Sequence, residues 1–177
     1  LAMPEAVIDI SGIASLRESK SAGDRFEIGA GVTHALLEDS KAAGALHDYL
    51  RRVAERIAYR SIRNRGTIGG SLAHADPAGD WPAAVLALGG VAVIFGKGGV
   101  RRVRAAEFQR GLMDTCMAET ELLASISLPQ LSAKARWGYV KFTHKVGEFA
   151  HSIGAVVIDP ALNLANAVLG GTGDKPV

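Results

Sequence analysis

The chain has 177 residues, 48% of them hydrophobic, and a formal net charge of +2, so it can bury a core and form one or two domains. This near-neutral balance gives no indication of a nucleic-acid or membrane-surface partner. The single cysteine, Cys116, excludes an internal disulfide framework and a cysteine-held zinc or iron–sulfur cluster within this chain alone. No apolar run approaches the roughly 20 residues of a membrane helix, and we expect a cytoplasmic protein.

The first third of the chain predicts strands followed by a short helix. Residues 5–10 have the composition of a strand, and residues 13–19 and 25–30 are expected to form a hairpin around the turn at 21–24. Thr33 is a suitable N-cap for a helix over residues 34–39. We expect His34, in its first turn, to lie at the surface.

The next segment predicts an amphipathic helix over residues 42–59, because Leu46, Leu50, Val53 and Ile57 recur at intervals of three and four. It is expected to lead through a glycine-rich turn into an extended segment, which is a common position for a functional loop.

The second half is rich in predicted strands. They cover residues 91–95, 100–103 and 122–128, with a helical turn at 105–108. The polar stretch 130–136 is the best candidate domain boundary. Beyond it, residues 137–143, 151–158 and 161–169 alternate as antiparallel strands do. Because helices and strands interleave without a regular βαβ period, the fold class predicted is α+β.

The densest motif lies at residues 63–80, which read RNRGTIGGSLAHADPAGD. Glycines allow a backbone to approach a ligand closely, and hydroxyl groups add hydrogen-bond donors, so the pattern is typical of an anion site. The spacing matches neither the dinucleotide-binding glycine fingerprint nor the Walker loop. Asp80 has a second interpretation as the N-cap of a helix with Pro82 in its first turn, and both roles remain open.

Two segments resemble one protein family. RNRGTIGGSLAHADPAGDWPAAVLAL resembles the second FAD-binding segment of the flavoprotein (medium) subunit of molybdenum hydroxylases, the carbon monoxide dehydrogenase and xanthine dehydrogenase family. The segments YVKF and KVGEFA, at residues 139–142 and 145–150, resemble the start of that family's C-terminal flavoprotein domain. The resemblance runs in order from PEAVIDI at residue 4 to LGGTGDKPV at the end.

The resemblance implies a fold and its division into domains. Residues 1–132 would form the C-terminal part of an FAD-binding domain of the molybdopterin dehydrogenase or vanillyl-alcohol-oxidase-like type, a mixed sheet with helices. Residues 133–177 would begin a smaller antiparallel-sheet domain. Both ends resemble internal positions of the family's sequences, so this chain alone is expected to provide one wall of the flavin slot, to bind FAD poorly and to associate with itself through exposed apolar surface.

The resemblance also implies site residues for FAD. The pyrophosphate turn corresponds to Thr67, Ile68, Gly69, Gly70 and Ser71, with the main-chain N–H groups as the expected donors. His74 and Asp80 match dinucleotide contacts, Leu123 matches an apolar contact to the flavin ring, and Lys141 and Glu148 match charged positions beside the ring. The alternatives without a role in flavin binding are core packing for Leu123 and a surface ion pair for Lys141 and Glu148. No acid–base catalytic residue and no metal site are expected in this chain.

The function implied is electron transfer. The chain would belong to the FAD subunit of a molybdenum-containing hydroxylase or dehydrogenase, which receives electrons from [2Fe-2S] clusters and passes them through FAD to an external acceptor. The molybdenum cofactor and the clusters would lie on a large and a small partner subunit of a heterotrimeric unit, often dimerised. The alternatives are a free-standing FAD-dependent oxidase or reductase and a flavin-free assembly subunit.

Overall fold

A computed structural model describes residues 5–177. The first four residues, including Pro4 at the start of the family resemblance, lie outside the described residues. The helices are α1 His34–Glu38, α2 Ala45–Ala54, α3 Arg60–Arg63, α4 Ile68–His74, α5 Asp80–Ala87 and α6 Ala105–Phe108. The strands are β1 Ser19–Ala22, β2 Arg25–Gly29, β3 Val91–Gly96, β4 Gly99–Arg104, β5 Gln109–Gly111, β6 Asp114–Thr115, β7 Leu122–Pro129, β8 Arg136–Phe142, β9 Ser152–Asp159 and β10 Leu164–Gly170. Short 3-10 helices cover Ala14–Leu16 and Pro160–Leu162.

The larger sheet has five strands in the order β1-β2-β7-β3-β4. The hairpins β1–β2 and β3–β4 flank β7, which pairs antiparallel with β2 and with β3. Ile28, Ile126 and Leu128 are fully buried on the face that meets the helices. Since burial of an aliphatic side chain contributes about 1.5–3 kcal/mol, this face is a main source of stability.

The smaller sheet has the order β10-β9-β8, and its inner face packs against α2 and α5. The rings of Tyr49 and Trp137 meet edge to face with centroids 5.5 Å apart, and the Asn166 amide donates to the carbonyl oxygen of Ala87. Helices α2 and α5 therefore belong to a single core shared with both sheets.

The α+β class is confirmed, together with most of the predicted elements. The helix capped by Thr33, the hairpin β3–β4, the helical turn α6 and the strand β7 all form where the sequence predicts them. A first hairpin also forms, but its first strand is β1 Ser19–Ala22 rather than residues 13–19, which include the 3-10 helix Ala14–Leu16. Every strand pairing among the described residues is antiparallel, whereas the resemblance implied a mixed sheet.

Three further expectations about local structure were wrong. Residues 5–10 form no strand, because no other described strand pairs with them, and Val7 and Ile8 are 85% and 82% exposed. The amphipathic helix is shorter than expected and ends at Ala54, four residues before Ala58, whose φ is +38°. The segment after Thr67 is helix α4 rather than an extended run, so the glycines lie inside the first helical turn.

The polar stretch 130–136 connects β7 to β8 and is anchored by one carboxylate. Asp159 accepts hydrogen bonds from the Ser132 N–H and from the Ser132 hydroxyl at 2.6 and 2.7 Å. These bonds hold the pKa of Asp159 below its usual value. A division into domains at residues 132 and 133 stays a prediction.

Candidate functional site

The segment Thr67–Ser71 is the N-terminal turn of α4. Thr67 is the N-cap, and its hydroxyl oxygen accepts from the Gly70 N–H at 2.9 Å. The N–H groups of Ile68, Gly69 and Ser71 donate to the carbonyl oxygens of Val32, Ala30 and Thr67. In this conformation four of the five expected N–H donors are therefore used inside the protein, and the Thr67 N–H alone has no hydrogen-bond acceptor within residues 5–177.

The glycines of this turn have different roles. A Cβ on Gly69 would overlap Ala30, and one on Gly66 would overlap the His34 ring, so both positions require glycine for close packing. Gly70 is exposed, and a Cβ there would meet only the Thr67 hydroxyl oxygen, at 3.0 Å. Gly70 therefore leaves open space beside the Thr67 hydroxyl.

His34 lies behind this turn rather than at the surface, which corrects the expectation from its position in a short helix. It is 5% exposed, and its Nδ1 accepts a hydrogen bond from the indole Nε1–H of Trp81 at 3.0 Å. Burial, and then the positive charge of Arg63, lower the pKa of His34 to about 4. The imidazole is therefore neutral at pH 7, with Nδ1 as the acceptor.

Asp80 lies at the start of α5, but the N-cap is Gly79, and the Asp80 side chain has another role. Its Oδ1 accepts from the Tyr139 hydroxyl at 2.6 Å, and its Oδ2 accepts from Lys141 Nζ at 2.9 Å. The side chains of Asp80 and Lys141 are 5% and 4% exposed. The N-cap interpretation was therefore wrong, and Asp80 joins α5 to β8 through a buried ion pair.

The protonation of this cluster reflects opposing effects. Burial raises the pKa of the Asp80 carboxyl, while the positive charge of Lys141 and the hydrogen bond from Tyr139 act to lower it. Burial and the neighbouring Asp80 raise the pKa of Tyr139. The Tyr139 hydroxyl therefore keeps its proton at neutral pH and donates it to Asp80. Lys141 Nζ also donates to the carbonyl oxygen of Arg56 at 3.3 Å.

The other residues that the resemblance identified lie in different surroundings. Leu123 is 3% exposed in the core, and its register partner is Ile94 of β3. His74 and Glu148 are exposed. Glu148 accepts from the Lys145 N–H at 3.1 Å, whereas Lys141 is buried with Asp80, so these two residues form no surface ion pair.

The loop between β8 and β9 folds back onto the segment before α3. The Tyr59 hydroxyl donates to the carbonyl oxygen of Val146 at 2.8 Å. Gly147 has a φ of +93°, and a Cβ there would overlap the Tyr59 ring, so this contact requires glycine. Sequence reasoning missed this contact, and it also missed the pairing of His34 with Trp81.

The structure brings only part of the predicted site into direct contact. Asp80 and Lys141 are bonded to each other, and the Ser71 hydroxyl lies close to Gly79, which precedes Asp80. Among residues 5–177, no side-chain hydrogen bond joins His74, Leu123 or Glu148 to Ser71, Asp80 or Lys141. The described part of the chain also has no cluster of three or more metal-ligating side chains, and none of its helices has the length and apolarity needed to cross a bilayer.

Comparison with known proteins gives a consistent result. Residues 1–131 match the family described as the FAD binding domain in molybdopterin dehydrogenase. The nicotine 6-hydroxylase medium subunit of Paenarthrobacter nicotinovorans is 35% identical over 161 residues, which are 91% of this chain and 56% of that protein. The carbon monoxide dehydrogenase medium chain of Hydrogenophaga pseudoflava is 35% identical over 94% of this chain and 58% of its own length.

Solved structures agree with the sequence match. The carbon monoxide dehydrogenase from Hydrogenophaga pseudoflava that lacks the Mo-pyranopterin moiety of its cofactor superposes with a TM-score of 0.92 at 34% identity, over 99% of this chain and 62% of that chain. This chain thus spans less than two thirds of the relatives that it matches. By its sequence match and its fold, it belongs to the family of FAD-binding domains in molybdopterin dehydrogenases.

Proposed function

We propose that this chain is part of the FAD-binding subunit of a molybdenum-containing hydroxylase or dehydrogenase. The relatives named above are medium subunits or medium chains. A medium subunit implies larger and smaller partners, which favours this function over a free-standing flavin oxidase and over a flavin-free assembly subunit. The molybdenum cofactor and the [2Fe-2S] clusters would reside on those partners, in a heterotrimeric unit that works in the cytoplasm.

The observation that carries the proposal is the open space at Gly70. The Thr67 hydroxyl lies next to it, and the same turn holds the Ser71 hydroxyl and the Thr67 N–H, which has no acceptor among the described residues. Such a set of donors fits a phosphate oxygen of a dinucleotide. Ile68 and Gly69 would act by shaping this turn, because their N–H groups already bond to Val32 and Ala30.

The flavin ring itself would meet a second group of residues. Lys141 and Asp80 are enclosed by the chain, and Leu123 is in the core, so we propose that Lys141 acts on the ring through its charge rather than as an exposed contact. His74 and Glu148 are exposed and would be the flexible contacts. When bound, FAD supplies the group that accepts electrons and passes them to an external acceptor.

The phosphate turn is tested with Gly70→Asp in the complete subunit. The change adds bulk and negative charge to the open space, and we expect it to remove most of the bound flavin. Gly98→Asp is the matched control, because Gly98 lies in the β3–β4 turn and has open space around it. Flavin absorbance per protein is measured, with circular dichroism as the check on folding. A folded Gly70→Asp subunit with full flavin content would contradict the proposal.

The proposed effect of Lys141 is tested by redox titration of the flavin in the complete subunit. A nearby positive charge favours the anionic reduced flavin, so we expect Lys141→Met to lower the midpoint potential. Glu148→Gln is expected to raise it. Unchanged midpoints in both variants would remove these two residues from the flavin site.

A further inference from the structure

Two residues of β8 hold the Asp80 carboxylate from opposite ends. Tyr139 and Lys141 are two positions apart and share the inner face of the strand. The Tyr139 hydroxyl bonds to Asp80 Oδ1 and Lys141 Nζ bonds to Asp80 Oδ2, and all three residues are more than nine-tenths buried. No other side chain among residues 5–177 donates to this carboxylate. Each of its two oxygens therefore depends on one side-chain donor.

The positive charge of Lys141 is compensated at the place where it lies. Asp80 Oδ2 is 2.9 Å from Lys141 Nζ. Two opposite charges so close together act on a more distant group as a dipole, so most of the effect of the cation is cancelled there. The pair is neutral when Asp80 is ionised and carries one positive charge when Asp80 is protonated. The action of Lys141 on a flavin therefore depends on the ionisation of Asp80.

Burial opposes this ionisation, and the two donors favour it. Burial raises the pKa of the Asp80 carboxyl, whereas the positive charge of Lys141 and the hydrogen bond from Tyr139 lower it. The Tyr139 hydroxyl keeps its own proton, because burial and the neighbouring Asp80 raise the pKa of this phenol. Without that hydroxyl, a buried carboxylate would have Lys141 as its single side-chain partner, and its neutral form would be favoured.

The surroundings hold two further groups that titrate or carry charge. Tyr49 of α2 meets the Tyr139 ring edge to face with centroids 6.4 Å apart, but its hydroxyl donates to the carbonyl oxygen of Ala84 at 3.3 Å. Arg56 is exposed, and its positive charge opposes the rise in the Tyr139 pKa that burial causes. Neither side chain bonds to Asp80. Tyr139 is therefore the uncharged group through which the ionisation of Asp80 is controlled.

We propose that Tyr139 is a positioning residue, which holds Asp80 ionised against Lys141 and thereby sets the net charge that this pair presents to the flavin. This inference rests on the proposed function, because it requires a flavin within range of the Lys141 charge. With the hydroxyl present, the pair stays neutral. Without it, Asp80 takes up a proton at a higher pH, and the uncompensated Lys141 favours the anionic reduced flavin.

Redox titration of the flavin in the complete subunit, from pH 5 to pH 9, tests this role. Tyr139→Phe removes only the hydroxyl. We expect its midpoint potential to exceed that of the parent, by a difference that grows as the pH falls through the range in which its Asp80 becomes protonated. Tyr49→Phe is the matched control, because it removes a hydroxyl that does not bond to Asp80 from an equally buried tyrosine. Its midpoint should follow that of the parent at every pH.

Asp80→Asn separates this role from a general disturbance of packing. The variant removes the charge on which Tyr139 acts, so its midpoint should lie above that of the parent at neutral pH. Adding Tyr139→Phe to Asp80→Asn should raise the midpoint no further. A further rise in the double variant would overturn the proposal. A parental midpoint in Asp80→Asn would also overturn it, whether or not Tyr139→Phe folds.

Carbon-13 NMR of the aspartate carboxyl carbons follows the same ionisation in the complete subunit without flavin, and Asp80→Asn identifies the Asp80 signal. We expect this signal to titrate at a higher pH in Tyr139→Phe than in the parent and in Tyr49→Phe. Equal titration in all three proteins, or equal midpoints of Tyr139→Phe and Tyr49→Phe at every pH, would overturn the proposal. A folded parent subunit that binds no flavin would instead contradict the proposed function, and the NMR titration would still decide whether Tyr139 keeps Asp80 ionised.

Discussion

Both sheets have a largely apolar inner face, but they differ in their outer faces. In the five-stranded sheet, aliphatic side chains point to the helices, and the outer face is polar except at the end of the β3–β4 hairpin, where Phe95 and Val100 are 55% and 63% exposed. On the polar part of this face, the guanidinium of Arg25 donates to the hydroxyl and carbonyl oxygens of Ser127, each at 2.7 Å. In the three-stranded sheet, Lys141 points inward and is buried, whereas Val140 and Phe142 on the outer face are 69% and 57% exposed.

This difference shows that the alternation of apolar and polar residues determines which face packs against the helices in only one of the two sheets. A shift of one residue moves every side chain of a strand to the opposite face. In β9, Ile153, Ala155 and Val157 face inward, but Val156 and Ile158 on the outer face are equally apolar. We infer that the buried polar contacts, Asp80 with Lys141 and Ser132 with Asp159, select the face that packs against the helices.

The largest effect is expected from removing the buried cation. Lys141→Met leaves the Asp80 carboxylate buried and unpaired, and we expect a loss of about 3 kcal/mol or more in the free energy of unfolding. Urea denaturation measures it. Lys145→Met, at an exposed position four residues later, is the control and should change stability by less than about 0.5 kcal/mol. Equal stability of the two variants would show that the ion pair does not orient the sheet.

The free energy of unfolding should depend on pH through His34, which is buried beside Trp81. Its pKa in the folded protein is about 4, below the usual 6.5, so the folded state favours the neutral form. This contribution is fully present above pH 6.5 and is lost as the pH falls toward 4, because the unfolded chain binds the extra proton. The loss amounts to about 3 kcal/mol.

The free energy of unfolding is measured between pH 7 and pH 4 for the parent chain, for His34→Gln and for His144→Gln. His34→Gln should show a weaker pH dependence than the parent. His144 is exposed, and its substitution should leave the dependence unchanged. The same slope in all three proteins would exclude His34 as the source.

A smaller loss is expected on the polar outer face. Arg25→Met leaves the fully buried Ser127 without its donor, and we expect a cost of about 1–2 kcal/mol. Arg104→Met is the control, because Arg104 forms an exposed ion pair with Glu107, and solvent screening leaves such surface pairs with little effect on stability. Thermal unfolding followed by circular dichroism compares them, and a larger loss in Arg104→Met would reverse the expected order.

The smallest change in stability is expected on the apolar outer face. Val140→Thr keeps the β-branched shape and should alter the free energy of unfolding by less than about 0.5 kcal/mol, but it should reduce self-association of the chain. Light scattering across a concentration series measures the association. Val100→Thr changes an equally exposed valine of β4 and should have no effect. Association that responds equally to both variants would mean that this face is not the contact.

The sequence predicted the positions of helices and strands better than it predicted the contacts of individual side chains. Alternation and turn residues located the hairpin β3–β4 and the strand β7, because these signals are local. His34 and Asp80 were misplaced since their partners, Trp81, Tyr139 and Lys141, lie 47–61 residues away along the chain. A histidine in a short helix and an aspartate before Trp-Pro carry no local sign of such contacts.

The candidate site was also only partly predictable. The glycine pair indicated close backbone approach, and Gly69 does pack directly on Ala30. Sequence could not show that the approach is to the chain itself for Gly69 and to open space for Gly70, since both are glycines in the same motif. That distinction depends on the rotation of helix α4 against β2 and β7.

The position of β7 in the larger sheet has a consequence for the order in which the protein folds. This strand lies in the middle of the sheet but is the last of the five to be synthesised, and Arg25 pairs with Pro129 across about one hundred residues of chain. Each hairpin can form locally, yet neither gains its second neighbour until β7 arrives. Closing such long loops slows folding. During synthesis, the edges of β2 and β3 that later pair with β7 therefore stay unpaired until β7 is made. We expect the chain to be most prone to aggregation in this interval.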